Sequence, residues 1–137
     1  MIKQLAIFIE NQEGSFRKVT TALHREQINI YAFSTIDTPE FGILRMVTDD
    51  PVRAQEIVGQ VGFAARICEV LAVKLEGQEQ MDDLLRVIHE GNVNINYMYS
   101  SFGNASDAPV IILHASDLEE TEQMLASRAF CCLQTIS

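Results

Sequence analysis

Leu5, Ala6, Ile7, Phe8 and Ile9 form an apolar run that stops at Glu10, and after Asn11, Gln12, Glu13 and Gly14 a new series begins at Phe16, Val19, Thr20 and Leu23. The run reads as a strand. The series, spaced i, i+3, i+4, i+7, reads as the core-facing side of a helix. Ile28 to Ile36 and Phe41 to Thr48 are strand-like and are separated by Asp37, Thr38, Pro39 and Glu40, which compose a turn, so they predict a hairpin. Asp50 and Pro51 then offer an N-cap and an N1 proline to a helix whose apolar stripe is Ala54, Ile57, Val58 and Val61. Residues 63–70 complete the pattern as a fourth strand.

The same pattern is written twice. Leu5-Ala6-Ile7-Phe8-Ile9-Glu10 falls on Leu71-Ala72-Val73-Lys74-Leu75-Glu76, Ile28-Asn29-Ile30 on Val93-Asn94-Ile95, Asp50 on Asp117, and Phe63 on Phe130. The offset changes only in loops, where insertions cost least. Met81, Leu84, Leu85 and Ile88 repeat the first helical stripe, Asp117 with Glu120 repeats the capping signal, and residues 131–136 repeat the fourth strand.

Strand, helix, strand, strand, helix, strand predicts an α+β fold of two tandem ferredoxin-like βαββαβ units, each a four-stranded antiparallel sheet with both helices on one face. The expected domains are residues 1–70 and 71–137. No glycine, proline or serine interrupts Ala65 to Glu76, so the units are expected to abut. Phe8, Tyr31 and Phe33 alternate with Ile7, Ile9, Ile30 and Ala32. Both sheet faces therefore carry apolar groups and call for a covering neighbour, and a homodimer is expected.

Composition narrows the partners. The 137 residues are 47% hydrophobic, enough for a packed core, with 19 acidic against 10 basic residues and a formal charge of −9. Nucleic acid and anionic membranes would meet net repulsion, and there is no basic aromatic stretch of the kind an RNA-binding sheet uses. No apolar stretch reaches the roughly 20 residues of a membrane span and no signal-peptide core is present, so a cytoplasmic location is expected. Cys68, Cys131 and Cys132 have neither disulfide-framework nor zinc-ligand spacing and are expected to be buried, reduced thiols.

The first strand-to-helix turn carries the chemistry. Gly14 can take positive φ and leaves room for a ligand against the backbone, while the N–H groups around Gly14, Ser15 and Phe16 at a helix N-terminus suit a carboxylate. Asn11 and Asn29 each offer an acceptor and a donor, which suits an α-ammonium and a carboxylate. Read alone, an asparagine in such a turn is more often a local cap than a ligand residue; the spacing, the glycine and the repeat favour the ligand site. With Val19, Leu23 and Ile28-Asn29-Ile30, the stretch Glu10-Asn11-Gln12-Glu13-Gly14-Ser15-Phe16 resembles the ACT domain, a small regulatory module that binds amino acids in biosynthetic enzymes. The resemblance spans the chain as two copies and is nearest the regulatory domain of phosphoglycerate dehydrogenases. There, asparagines at the positions of Asn11 and Asn29 hold a serine effector. Glu13 and Phe16 stand where that family usually has proline and leucine.

The resemblance implies a stand-alone regulatory protein that binds a free amino acid through Asn11, Gln12, Glu13, Gly14, Ser15, Phe16 and Asn29. It would signal by ligand-dependent association with itself or with an amino-acid metabolic enzyme. The alternative is a structural dimerisation module without ligand. The second half has Gly77 in place of Asn11 and Glu79 or Gln80 in place of Gly14, so it is expected to be a packing partner rather than an equal sensor. His24 and His89, at equivalent helical positions, read as surface or boundary residues. His114 reads as a pocket or half-buried strand residue. Asp82-Asp83 and Glu119-Glu120 read as helix-opening acids rather than metal ligands. No nucleophile motif, phosphate loop or dinucleotide fingerprint is present, so no catalytic residue, metal or cofactor is expected.

Overall fold

The computed structural model describes all residues except 11–12, 38–40, 103–107 and 136–137. Its elements in chain order are β1 (Ile2–Glu10), α1 (Ser15–Arg25), β2 (Ile30–Asp37), β3 (Phe41–Thr48), α2 (Pro51–Gln60), β4 (Ala64–Lys74), α3 (Gln80–Glu90), β5 (Ile95–Ser100), β6 (Val110–Ala115), α4 (Leu118–Ser127) and β7 (Cys131–Cys132). By internal contacts the chain divides into two units, Lys3–Cys68 and Met1–Ile2 with Glu69–Ile136.

The expected α+β architecture is present. In the first unit the strand order is β2-β3-β1-β4, with β1 and β2 each antiparallel to β3. Leu5 and Ile7 stand opposite Met46 and Leu44, and residues opposite each other share a face. These side chains, with Ile9, are closed over by Val19 and Leu23 of α1 and by Ala54, Ile57 and Val58 of α2. The second unit repeats this in the order β5-β6-β4-β7. Leu71 and Val73 stand opposite Leu113 and Ile111, under Leu84, Val87 and Ile88 of α3 and Leu125 of α4. Both N-caps form as expected: Asp50 Oδ1 accepts from the Arg53 N–H at 3.2 Å, and Asp117 Oδ1 from the Glu120 N–H at 3.0 Å.

Four details depart from the sequence reading. Residues 63–70 and 71–76, expected as separate strands, contribute to a single strand β4, because Ile67, Val70 and Val73 favour β structure and no glycine or proline interrupts Ala64 to Lys74. The closing strand expected over 131–136 is reduced to Cys131–Cys132 among the described residues. A register shift between Ile30 and Ala32 reverses the alternation in β2, so Phe33 lies opposite Met46 on the helix-bearing side and Ala32 opposite Val47 on the other. The second unit repeats that shift between Ile95 and Tyr97. Finally, Phe16 is 40% exposed and Thr20, Val61 and Leu85 are also exposed. Helix α1 starts at Ser15, and the face that turns inward carries Ser15, Val19 and Leu23.

The turn Asp37 to Glu40 falls largely outside the described residues, since 38–40 are not among them. The outer face of the first sheet carries apolar groups, as expected, beside a row formed by Ala6, Arg45 and Ser34. Phe8, Ile43 and Ile36 form a cross-strand row, with Phe8 42% and Ile36 41% exposed.

Thr48 is buried and its hydroxyl has no hydrogen-bond partner among the described residues. The duplicate position is Ala115, also buried, so the fold does not require a hydroxyl there. An unpaired buried hydroxyl is costly. Thr48→Val is expected to raise the unfolding free energy by about 1 kcal/mol in urea titrations; a loss of stability would show that the hydroxyl is satisfied.

Candidate functional site

Strand β1 ends at Glu10, opposite Phe41 at the start of β3. Asn11 and Gln12, two of the expected ligand residues, lie outside the described residues. Glu13 and Gly14 form an exposed turn, and Gly14 has φ 81° and ψ 2°, the left-handed conformation expected of it. A Cβ on Gly14 would meet nothing within 4 Å, so the backbone there is open to a ligand. The Lys18 N–H already donates to the Gly14 carbonyl at 3.0 Å, beginning the helical ladder and leaving the N–H groups before it at the helix end.

Of the four described helices, α1 alone has neither a side-chain cap nor an acidic residue in its first turn. Helices α2 and α4 are capped by Asp50 and Asp117, and α3 has Asp82 and Asp83. Neither the cap residue nor the first turn of α1 offsets its positive end. A groove of about 560 Å³ runs from Gly14 past Arg17, Lys18, Thr21, Ala22 and Arg25 to Val61. Ser15 is buried at the edge of this turn while Phe16 projects outward.

Asn29 is elsewhere. It precedes β2, and Ile30 at the start of β2 stands opposite Thr48 at the end of β3, whereas Glu10, before the Gly14 turn, stands opposite Phe41 at its beginning. The two ends of β3 are about 20 Å apart at roughly 3.3 Å per residue. The sequence reading placed Asn29 and the Gly14 turn around one small molecule; within one unit the strand register separates them. Asn29 is also fixed locally. Its main-chain N–H and its Nδ2 donate to Asp49 Oδ1 and Oδ2 at 3.2 and 3.1 Å, and the Asp49 N–H donates back to the Asn29 carbonyl at 3.1 Å. The clamp takes up one amide N–H and turns Nδ2 toward Asp49, leaving Oδ1 as an acceptor. Asp49 was missed in the sequence, although it sits one residue before the recognised cap Asp50.

The second unit differs at both ends. Gln80 at the start of α3 folds back so that its Oε1 accepts from the Glu76 N–H at 2.5 Å, and the Glu79 carboxylate lies against Gly77. Asn94 Nδ2 donates to Ser116 Oγ at 2.9 Å, so a neutral hydroxyl replaces the Asp49 carboxylate. His24 and His89 are exposed. His114 is half-buried, stacked on Tyr97 at 5.2 Å between ring centres, with Nδ1 2.9 Å from Asn96 Nδ2. Among the described residues no group of three or more His, Cys, Asp or Glu is placed to hold a metal, and no helix is long and apolar enough to cross a membrane.

A family model described as an ACT domain pair matches residues 1–131. The chain belongs to the ACT domain pair family. A protein from Bacteroides thetaiotaomicron shares the ACT pair's fold with a TM-score of 0.85 and 29% identity, over 96% of this chain and 91% of that one. The regulatory subunit of aspartate kinase from Thermus thermophilus, in its ligand-free form, superposes with a TM-score of 0.63 at 16% identity over 91% of both chains. The corresponding subunit from Thermus flavus gives 0.58 at 15% over the same shares. No curated protein sequence matches the chain.

The cysteines correct a further expectation: all three are free, but Cys131 is exposed and Cys68 and Cys132 are only partly buried. For Cys131 and Cys132, short β7 explains this, since its adjacent residues point to opposite faces and of the two only Cys132 packs against the core. Burial, followed by the nearby Glu122 carboxylate, pushes the Cys132 thiol above its ordinary pKa. A raised pKa means less thiolate at neutral pH, so Cys131 is expected to alkylate faster than Cys132. Peptide mapping after timed iodoacetamide treatment checks this; faster labelling of Cys132 would contradict it.

Proposed function

We propose that this ACT pair is a stand-alone regulatory protein that binds a free amino acid, with the Gly14 turn of one chain and Asn29 of a second chain on either side of the ligand. The observation that carries this reading is the opposite character of the two ends of the first unit. One end is an uncapped, open helix N-terminus suited to a carboxylate; the other presents Asn29 Oδ1 beside the Asp49 carboxylate and suits an ammonium. A zwitterion needs both, and one unit holds them about 20 Å apart by strand rise.

A second copy resolves the separation. Strand β2 is the edge of the first unit's sheet, and Ile30 to Ile36 contains no charge or proline to block pairing. Antiparallel pairing of β2 with its twin about a twofold axis brings the start of each β2 to the end of the other, and so Asn29 of one chain toward the Gly14 turn of its partner. Glu13, Ser15 and Phe16 flank that turn, and Asn11 and Gln12 precede it in sequence. Ligand bound across the junction favours the associated state because it binds that state better. A homodimer is thus the expected sensing species, and an enzyme of amino-acid metabolism is the partner class that the aspartate kinase regulatory subunits suggest.

The test is complementation. A thermal-shift screen of the twenty amino acids identifies the effector, which at about 100 times its Kd should stabilise by roughly 2.7 kcal/mol. Asn29→Ala and Gly14→Val are each expected to weaken binding about tenfold or more. Mixed dimers of the two variants should regain one intact site, because Gly14 from one chain meets Asn29 from the other. No recovery on mixing would place both residues in one chain's site or outside the site, and no shift with any amino acid would leave the structural dimerisation module.

A further inference from the structure

The duplication supplies an internal template for a second site. In the first unit the Arg53 guanidinium reaches back across the end of α1, donating to the Glu26 main-chain carbonyl at 3.1 Å and pairing with Glu26 Oε2 at 2.9 Å. The repeat places Gly91 at the position of Glu26 and Glu120 at that of Arg53. The second unit has thus exchanged the cation for an anion and removed the side chain that paired with it. In their place is a groove of about 340 Å³ whose lining includes Gly91, Asn94, Ser116, Asp117, Glu120 and Met124.

Two carboxylates and a helix C-terminus give this groove a negative character, with Asp117 Oδ1 also capping α4 through the Glu120 N–H at 3.0 Å. The carbonyl end of α3 is the negative end of its dipole. Asp117 and Glu120 are exposed carboxylates, and Asn94 donates one amide N–H to Ser116. The Met124 thioether lies so close over Gly91 that a Cβ there would collide with it, which gives the groove an apolar floor. A flat cation on an apolar stem fits this lining, and a guanidinium is the group that the first unit itself places at the equivalent position.

The chain also holds a source. Residues 69–137 carry 11 of the 19 acidic and 3 of the 10 basic residues, a formal −8, whereas residues 1–68 stand at −1. Helix α1 lines its groove with Arg17, Lys18 and Arg25, all exposed. The ion pairs found among the described residues engage Arg53, Arg86, Arg128 and the N-terminus, not these three. We propose that the groove at the end of α3 receives an arginine side chain from α1 of a second copy of this chain. This contact is separate from β2 pairing and links the acidic unit of one copy to the basic helix of another, so that chains of net charge −9 can associate without like charges facing each other.

Sedimentation velocity tests it. Wild type is expected to show an association at about 50 mM salt that weakens about tenfold or more at about 500 mM. Glu120→Arg, which restores the first unit's internal guanidinium, should abolish that salt-sensitive step without lowering the melting temperature, and Glu120→Gln should weaken it. Arg17→Glu with Arg25→Glu should abolish it as well, and mixing this variant with Glu120→Arg should restore it, since each retains the half the other lacks. Amino-acid binding by the Glu120→Arg chain should be unchanged, which separates this test from that of the Gly14 turn. Only a salt-insensitive dimer, an association unaffected by Glu120→Arg, or no recovery on mixing would overturn the proposal. So would binding of argininamide to the groove of a chain that does not self-associate, since that would assign the groove to a small cation.

Discussion

The antiparallel register of β3 against β1 and β2 is the constraint on which the rest depends. It aligns Leu5 with Met46 and Ile7 with Leu44, so that one face of the sheet is closed by two helices. The same register sends the β1–α1 turn to one end of the unit and the start of β2 to the other. Core and site geometry are therefore one fact. A one-residue slip would exchange buried and exposed faces along each strand, and the hydrophobic burial that holds the register also holds the two polar ends apart.

That link explains what could be read in the sequence and what could not. Spacing identified the helices at Val19 and Leu23 and at Leu84 and Ile88, the caps Asp50 and Asp117, and the duplication itself, because each is local and periodic. Phe16 was misplaced because a hydrophobic residue at the first turn satisfies the spacing, whereas the start of α1 at Ser15 decides which residues turn inward. The reversal in β2 depends on a bulge, a pairing feature of two strands that one strand's pattern does not show. Its recurrence in β5 is a trace of duplication deeper than residue identity.

The site residues divide in the same way. Gly14 was legible because positive φ after a strand and before a helix selects glycine, and its backbone is as expected. The separation of Asn29 from Gly14 was not legible, because it requires knowing which ends of β1 and β2 share a side. Asp49 was hidden by its neighbour: Asp50 explains the helix start, and only the structure shows Asp49 gripping Asn29 through both carboxylate oxygens.

Duplication left two frames that are alike in the core and unlike at the ends, and the pattern of difference is electrostatic. At the start of β2, Asp49 becomes Ser116; across the end of the first helix, the Arg53–Glu26 clasp becomes Glu120 and Gly91; and at the first helix start, an open N-terminus becomes one with Asp82 and Asp83 in its first turn. Each change removes from the second unit a feature that suits a zwitterion or closes the surface on itself. None touches the cores built on Leu5 and Leu71, which bear the cost of folding and so tolerate little change. The exposed Arg53–Glu26 pair is worth at most about 1 kcal/mol. Its loss is thus a small sacrifice of stability, and that is why the end of α3 was free to become a surface for another cation.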